Sequence, residues 1–279
     1  MNYSTLISVS DLARSLDDPA WVLFDCRHDL GNPDFGSQAY ALAHLPGARF
    51  AHLDRDLSAP LTGRNGRHPL PDPRQFATWL GAMGVDGSKQ VVAYDHAGGA
   101  YAGRLWWMLR WLGHDRVAVL DGGWDAWVSG GHPLTQETPT PQPVRFTDRP
   151  RPSSVDARFV LERLGKPDIV LLDARSNDRY HGRNETIDPV AGHIPGALNR
   201  FFRDNLSPDG RFKPAAVLRE EFGRVLGATP PERVVHQCGS GVSACHNLLA
   251  MEVAGLSGSK LYPGSWSEWI ADRSRPVAT

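Results

Sequence analysis

A thiol is the residue in this chain best placed to do chemistry. The apolar run Arg233-Val-Val-His-Gln leads into Cys238-Gly-Ser-Gly-Val-Ser-Ala244, and a helical pattern begins near Ala244. A cysteine at such a strand-to-helix junction faces the positive end of a helix dipole. Gly239 and Gly241 let the loop curl so that successive backbone N–H groups, through Val242 and Ser243, point at sulfur. Both effects favour thiolate over thiol, and thiolate is the nucleophile. The same donors would hold the outer sulfur of a persulfide. An isolated cysteine is more often a small buried apolar residue, and Cys26 and Cys245 read that way: one ends a strand, the other lies inside an apolar helix.

Two other chemistries use similar ingredients. A cysteine phosphatase needs an arginine six positions after the nucleophile to clamp phosphate bidentately, and that position is Ala244. A zinc site built from His236, Cys238, Cys245 and His246 has poor ligand spacing, because the helix would scatter those side chains.

The elements that must position this loop occur twice. WVLFDCR (21–27) and AHLPGA (43–48) are answered by IVLLDAR (169–175) and GHIPGA (192–197). In the same order, FATWLG (76–81) is answered by FGRVLG (222–227), VVAYD (91–95) by VVHQC (234–238), and GGWDAW (122–127) by GSWSEW (264–269). The period is too long for a solenoid and indicates a duplicated domain. The copies are expected at 1–133 and 154–279, joined by a Pro- and Thr-rich, semi-extended linker at 134–153. In each copy short apolar runs (VLFD, VVAYD, VAVLD; IVLLD, RVVHQ, KLY) alternate with helical stretches, which predicts α/β domains with parallel sheets of about five strands flanked by helices. Sites in such sheets form at the carboxyl ends of strands. Ser10 and Ser154 are expected N-caps, and Gly113 and Gly255 expected helix stops.

Composition narrows the partners. A formal net charge of -1 gives no general attraction to nucleic acid or acidic membranes, so an anionic substrate must be held locally. Three cysteines do not make a disulfide framework. The N-terminus lacks a basic region followed by an apolar run, and no stretch has the roughly 18 apolar residues of a membrane span. These features point to the cytoplasm.

The repeated (A/G)H(L/I)PGA segments, the closing GGWDAW and GSWSEW, and the duplication itself resemble the tandem rhodanese-domain sulfurtransferases, in the branch of thiosulfate and 3-mercaptopyruvate sulfurtransferases. The resemblance covers essentially the whole chain. It implies that the C-terminal copy is catalytic and that the N-terminal copy has lost its cysteine, consistent with Asp95 opposite Cys238. CGSGVSA is similar to the CGSGVTA loop of mercaptopyruvate enzymes, whereas thiosulfate enzymes typically carry basic residues after the cysteine. The resemblance also implies a proton-handling triad of Ser240, His68 in GRHPLP and Asp54 in FAHLD, in an active site between the copies. Arg179 matches the first carboxylate-binding arginine. The segment GRNETIDPVAGH is two residues shorter than in typical mercaptopyruvate enzymes, so no second arginine aligns; Arg183 could serve, or could be a solvated loop charge.

The activity implied is transfer of sulfane sulfur from 3-mercaptopyruvate through a Cys238 persulfide to cyanide, a small thiol or thioredoxin, with no metal or organic cofactor. Thiosulfate:cyanide transfer is the nearest rival, and a persulfide carrier serving a partner protein the next. Arg104, Arg175 and His193 read as structural, and Trp106, Trp107, Trp111, Trp124 and Trp127 as packing.

Overall fold

A computed structural model describes residues 2–279. The chain divides into two compact units. The first holds residues up to Ala59, Pro71–Arg151 and Pro208–Phe212; the second holds Pro60–Leu70, Pro152–Ser207 and Lys213–Thr279.

The first unit runs β1 (Leu6–Ile7), α1 (Val9–Ala13), β2 (Trp21–Asp25), α2 (Phe35–Leu42), β3 (Arg49–Phe50), α3 (Pro73–Ala82), β4 (Gln90–Tyr94), α4 (Ala102–Trp111), β5 (Val117–Leu120) and α5 (Gly123–Ser129). Its five strands lie in the order β1-β5-β4-β2-β3, with every pairing parallel. β4 and β5 are buried along their whole length and, after Gln90, apolar, as strands covered on both faces must be. Trp106, Trp107, Trp111 and Trp127 are buried, while Trp124 lies under the Arg27 guanidinium, 3.9 Å from its ring centre.

The second unit runs α6 (Ala157–Leu161), β6 (Val170–Asp173), α7 (Asn177–Tyr180), β7 (Leu198–Asn199), α8 (Ala215–Leu226), β8 (Val234–Gln237), α9 (Ser243–Val253), β9 (Lys260–Leu261) and α10 (Ser265–Trp269). Its parallel sheet has four strands, β7-β6-β8-β9. Where the first unit has β1, this unit has a single parallel bridge, Ser154 to Leu261.

The duplication extends to side chains. Arg27 donates to the buried Asp25 carboxylate and to the Ala43 carbonyl; Arg175 does the same with Asp173 and Gly192. His44 stacks on Tyr40 and bonds its carbonyl, and His193 repeats both contacts with Tyr180. Each pair ties the loop after a strand back to the sheet. Arg104 is fully buried and reaches the Leu57 carbonyl.

Two expected caps are corrected. Ser8, not Ser10, caps α1, because its extended backbone lets Oγ accept the Asp11 N–H. Asp156, not Ser154, caps α6, accepting the Phe159 N–H, while Ser154 is held by its bridge. Gly113 and Gly255 do follow the ends of α4 and α9 with positive φ. Among the described residues no helix is long and apolar enough to cross a membrane.

Candidate active site

Cys238 follows β8 directly and is buried, and α9 begins five residues later. The Gly241 N–H donates to Cys238 Sγ at 3.1 Å. That curl requires glycine: Gly241 has φ +74°, and a Cβ there would lie 2.3 Å from the Pro263 carbonyl oxygen. The other side of the loop is sewn to α10, since the Trp266 and Ser267 N–H groups donate to the carbonyls of Cys238 and Gly239. Val242 and Ser243 form the entry to α9, with Val242 at its N-cap.

Ser265 was not singled out by sequence reading. It is fully buried and adopts φ +54°, a left-handed conformation that is strained for a residue with a side chain. Its Oγ accepts the Cys238 N–H at 3.1 Å and donates to the Tyr262 carbonyl at 2.9 Å. In the first unit the matching position is Gly123, also left-handed at φ +55°. A serine where the sister copy has a positive-φ glycine was the available signal.

The first unit's version of the loop demonstrates what this backbone holds. Asp95 occupies the cysteine position, and its carboxylate accepts four backbone N–H groups, from Ala97, Gly99, Tyr101 and Ala102, at 2.7–2.9 Å. A strand–loop–helix of this design converges its donors on an anion.

Ser240 Oγ lies 2.7 Å from His68 Nδ1, and both residues are buried. His68 belongs to the Pro60–Leu70 segment of the second unit. Asp54 belongs to the first unit, where its N–H donates to His52 Nδ1. Potential ligand atoms of His28, His52 and Asp54 lie within 4.8 Å of one another, a grouping the sequence reading did not anticipate.

Arg179, at the end of α7, donates through Nε to Glu185 and through Nη2 to Asp188 at 2.9 Å. Asp188 is buried, and its other oxygen accepts from Arg67 Nη1 at 2.6 Å. Arg67 was another residue missed by sequence reading. Arg183 is exposed, its backbone N–H bonded to the Asp178 carbonyl. Burial opposes ionisation of Glu185, but the bonds from Arg179 and from the Asp188 and Ile187 backbone outweigh it and hold the carboxyl below its ordinary range. Arg175 shows the converse balance: burial disfavours its charge, yet Asp173, Cys238 and Glu185 together raise its pKa.

Cys26 and Cys245 are buried. Burial, reinforced by Asp25, pushes the Cys26 thiol well up. The Cys245 thiol donates to the Gly241 carbonyl. Neither has the setting of a nucleophile.

Comparison with known proteins agrees with this geometry. The model of the rhodanese-like domain matches twice, at residues 8–130 and 156–272. A probable 3-mercaptopyruvate sulfurtransferase of Pseudomonas aeruginosa is 48% identical over 282 residues, covering 100% of this chain and 99% of that protein. The thiosulfate sulfurtransferase of Mus musculus is 34% identical over 281 residues, covering 96% and 92%. Among solved structures, the 3-mercaptopyruvate sulfurtransferase of Leishmania major superposes with a TM-score of 0.83 at 32% identity, covering 95% of this chain and 74% of that one. The chain belongs to the rhodanese-like domain family, in which it carries two copies of the domain. It is a sulfurtransferase enzyme, acting between a sulfur donor and an acceptor.

Proposed function

We propose that the chain transfers sulfane sulfur from 3-mercaptopyruvate to a thiol or to cyanide through a persulfide on Cys238, releasing pyruvate. The observation that carries this reading is the Gly241 N–H directed at Cys238 Sγ, beside a serine held by a histidine. The Cys238 thiolate attacks the donor sulfur. An S–S bond forms, the C–S bond breaks, and its electron pair passes to carbon as the enolate of pyruvate. Ser240 supplies a proton to that carbon and recovers one through His68. An acceptor thiolate, from a small thiol or thioredoxin, then attacks the outer sulfur and leaves with it, returning Cys238 as thiolate; cyanide leaves as thiocyanate.

Asp54 is the third member of this relay on the family resemblance. Gly239, Gly241, Val242 and Ser243 line the donor's reacting end, and Arg179 binds its carboxylate; Arg183 is the candidate second arginine from sequence. The division of labour assigns catalysis to residues 154–279, a non-catalytic copy with Asp95 at the cysteine position to 1–133, and 134–153 to the linker. The reaction needs no metal or organic cofactor, because the persulfide carries the sulfur, and the proposed setting is the cytoplasm.

Relatives named thiosulfate sulfurtransferases supply the second reading, thiosulfate as donor. Side-by-side turnover of both donors decides it. A preference of more than tenfold in kcat/KM for mercaptopyruvate is expected, with no turnover by Cys238→Ala; a thiosulfate preference reverses the donor assignment, and activity in Cys238→Ala refutes the persulfide.

A further inference from the structure

We infer that Arg67, rather than Arg183, is the second arm of the clamp that holds the donor's carboxylate. The inference rests on the proposed donor and adds a specificity-determining residue that the sequence alignment could not supply. Arg67 and Arg179 already share one carboxylate, that of Asp188. Arg67 Nη1 bonds Oδ1 at 2.6 Å and Arg179 Nη2 bonds Oδ2 at 2.9 Å. Their spacing therefore fits a carboxylate bridged between two guanidinium forks.

The pair also faces the cysteine loop. A Cβ built on Gly239, the residue after the nucleophile, would lie 3.0 Å from Arg67 Nη2 and 3.7 Å from Arg179 Nη2. Both forks thus border the same point of backbone, with the Asp188 carboxylate that bridges them also 3.7 Å from it. Arg67 Nε is buried and has no hydrogen-bond partner among the described residues. A buried donor left unmatched is costly, and a carboxylate received on that edge of the guanidinium would relieve it. Asp188 and Glu185 then act as positioning residues that fix the two forks. The Arg67 backbone is itself held, its N–H donating to Ser267 Oγ at 2.9 Å, next to His68 on Ser240. Arg183, exposed on its loop, has no comparable anchoring.

The test compares alkylation of Cys238 by iodoacetate and by iodoacetamide, reagents of similar shape that differ in a carboxylate. In Arg67→Gln the iodoacetate-to-iodoacetamide rate ratio should fall at least tenfold from the wild-type value, and in Arg183→Gln it should not change. The KM for 3-mercaptopyruvate should rise at least tenfold in Arg67→Gln with kcat altered less than threefold. Arg67→Lys should recover part of the ratio through its charge. Because iodoacetamide reports the intact thiol in each variant, a folding defect would appear in both rates and leave the ratio alone. An unchanged ratio in Arg67→Gln, or a ratio that falls instead in Arg183→Gln, overturns the inference. Wild-type enzyme that turns over only thiosulfate would overturn the donor assignment, and the alkylation ratio would still judge Arg67.

Discussion

His68 Nδ1 and Ser240 Oγ lie 2.7 Å apart although 172 residues of sequence separate them. A hydroxyl so placed can pass a proton only while its partner is present, so the two side chains should behave as one unit. We expect Ser240→Ala and His68→Gln each to lower kcat on 3-mercaptopyruvate by roughly a hundredfold. The double variant should lose little more than either single one. Steady-state kinetics across pH check this, since the limb of the profile that reports the pair should vanish in all three variants. Multiplicative losses would mean that the two residues act separately.

Ser265 holds the Cys238 N–H from a strained left-handed backbone. Ser265→Ala keeps the strain and loses the hydroxyl, so it should destabilise by about 1–2 kcal/mol and slow sulfur transfer. Ser265→Gly loses the same bond but suits the positive φ, as Gly123 does in the sister copy. Its urea midpoint should lie above that of Ser265→Ala, while its activity remains low. Equal midpoints would show that the backbone conformation carries no strain there.

His236, inside β8, is fully buried. Its Nε2 lies 3.2 Å from Met251 Sδ, and Nδ1 has no partner among the described residues. Burial pulls its pKa from 6.5 down to about 3. Between those values the unfolded chain binds a proton that the folded chain refuses. This contribution to stability is therefore complete above pH 6.5 and is lost as the pH falls toward 3. From pH 7.5 to pH 5 the wild type should lose about 2 kcal/mol more than His236→Phe, which cannot titrate. Urea unfolding at both pH values measures the difference; parallel losses would assign the acid sensitivity elsewhere.

The parts legible in the sequence were those written in contiguous runs. The glycine loop around Cys238 announces its curl in seven residues, and buried strands such as Val91–Tyr94 read as unbroken apolar stretches. The repeat located both copies because it preserves the Arg–Asp and Tyr–His ties that hold the loops. Arg67 was illegible for the opposite reason: its partners Asp188 and Ser267 are distant in sequence, and nothing local marks it as more than a charged loop residue. α2 was missed because its small residues and single buried tyrosine make a weak periodic signal. Ser265 hid in a segment read only as a repeat anchor.

The Pro60–Leu70 segment lies in the first half of this sequence but belongs with the second unit. Recombination in the region of codons 134–153 would join one parent's cysteine loop to another parent's Arg67 and His68. A gene fragment beginning at codon 154 would encode Cys238 and Ser240 without either of them. The DNA divides between the two copies, but the packed unit does not: eleven residues in the first half of the sequence share one compact body with residues more than a hundred codons downstream.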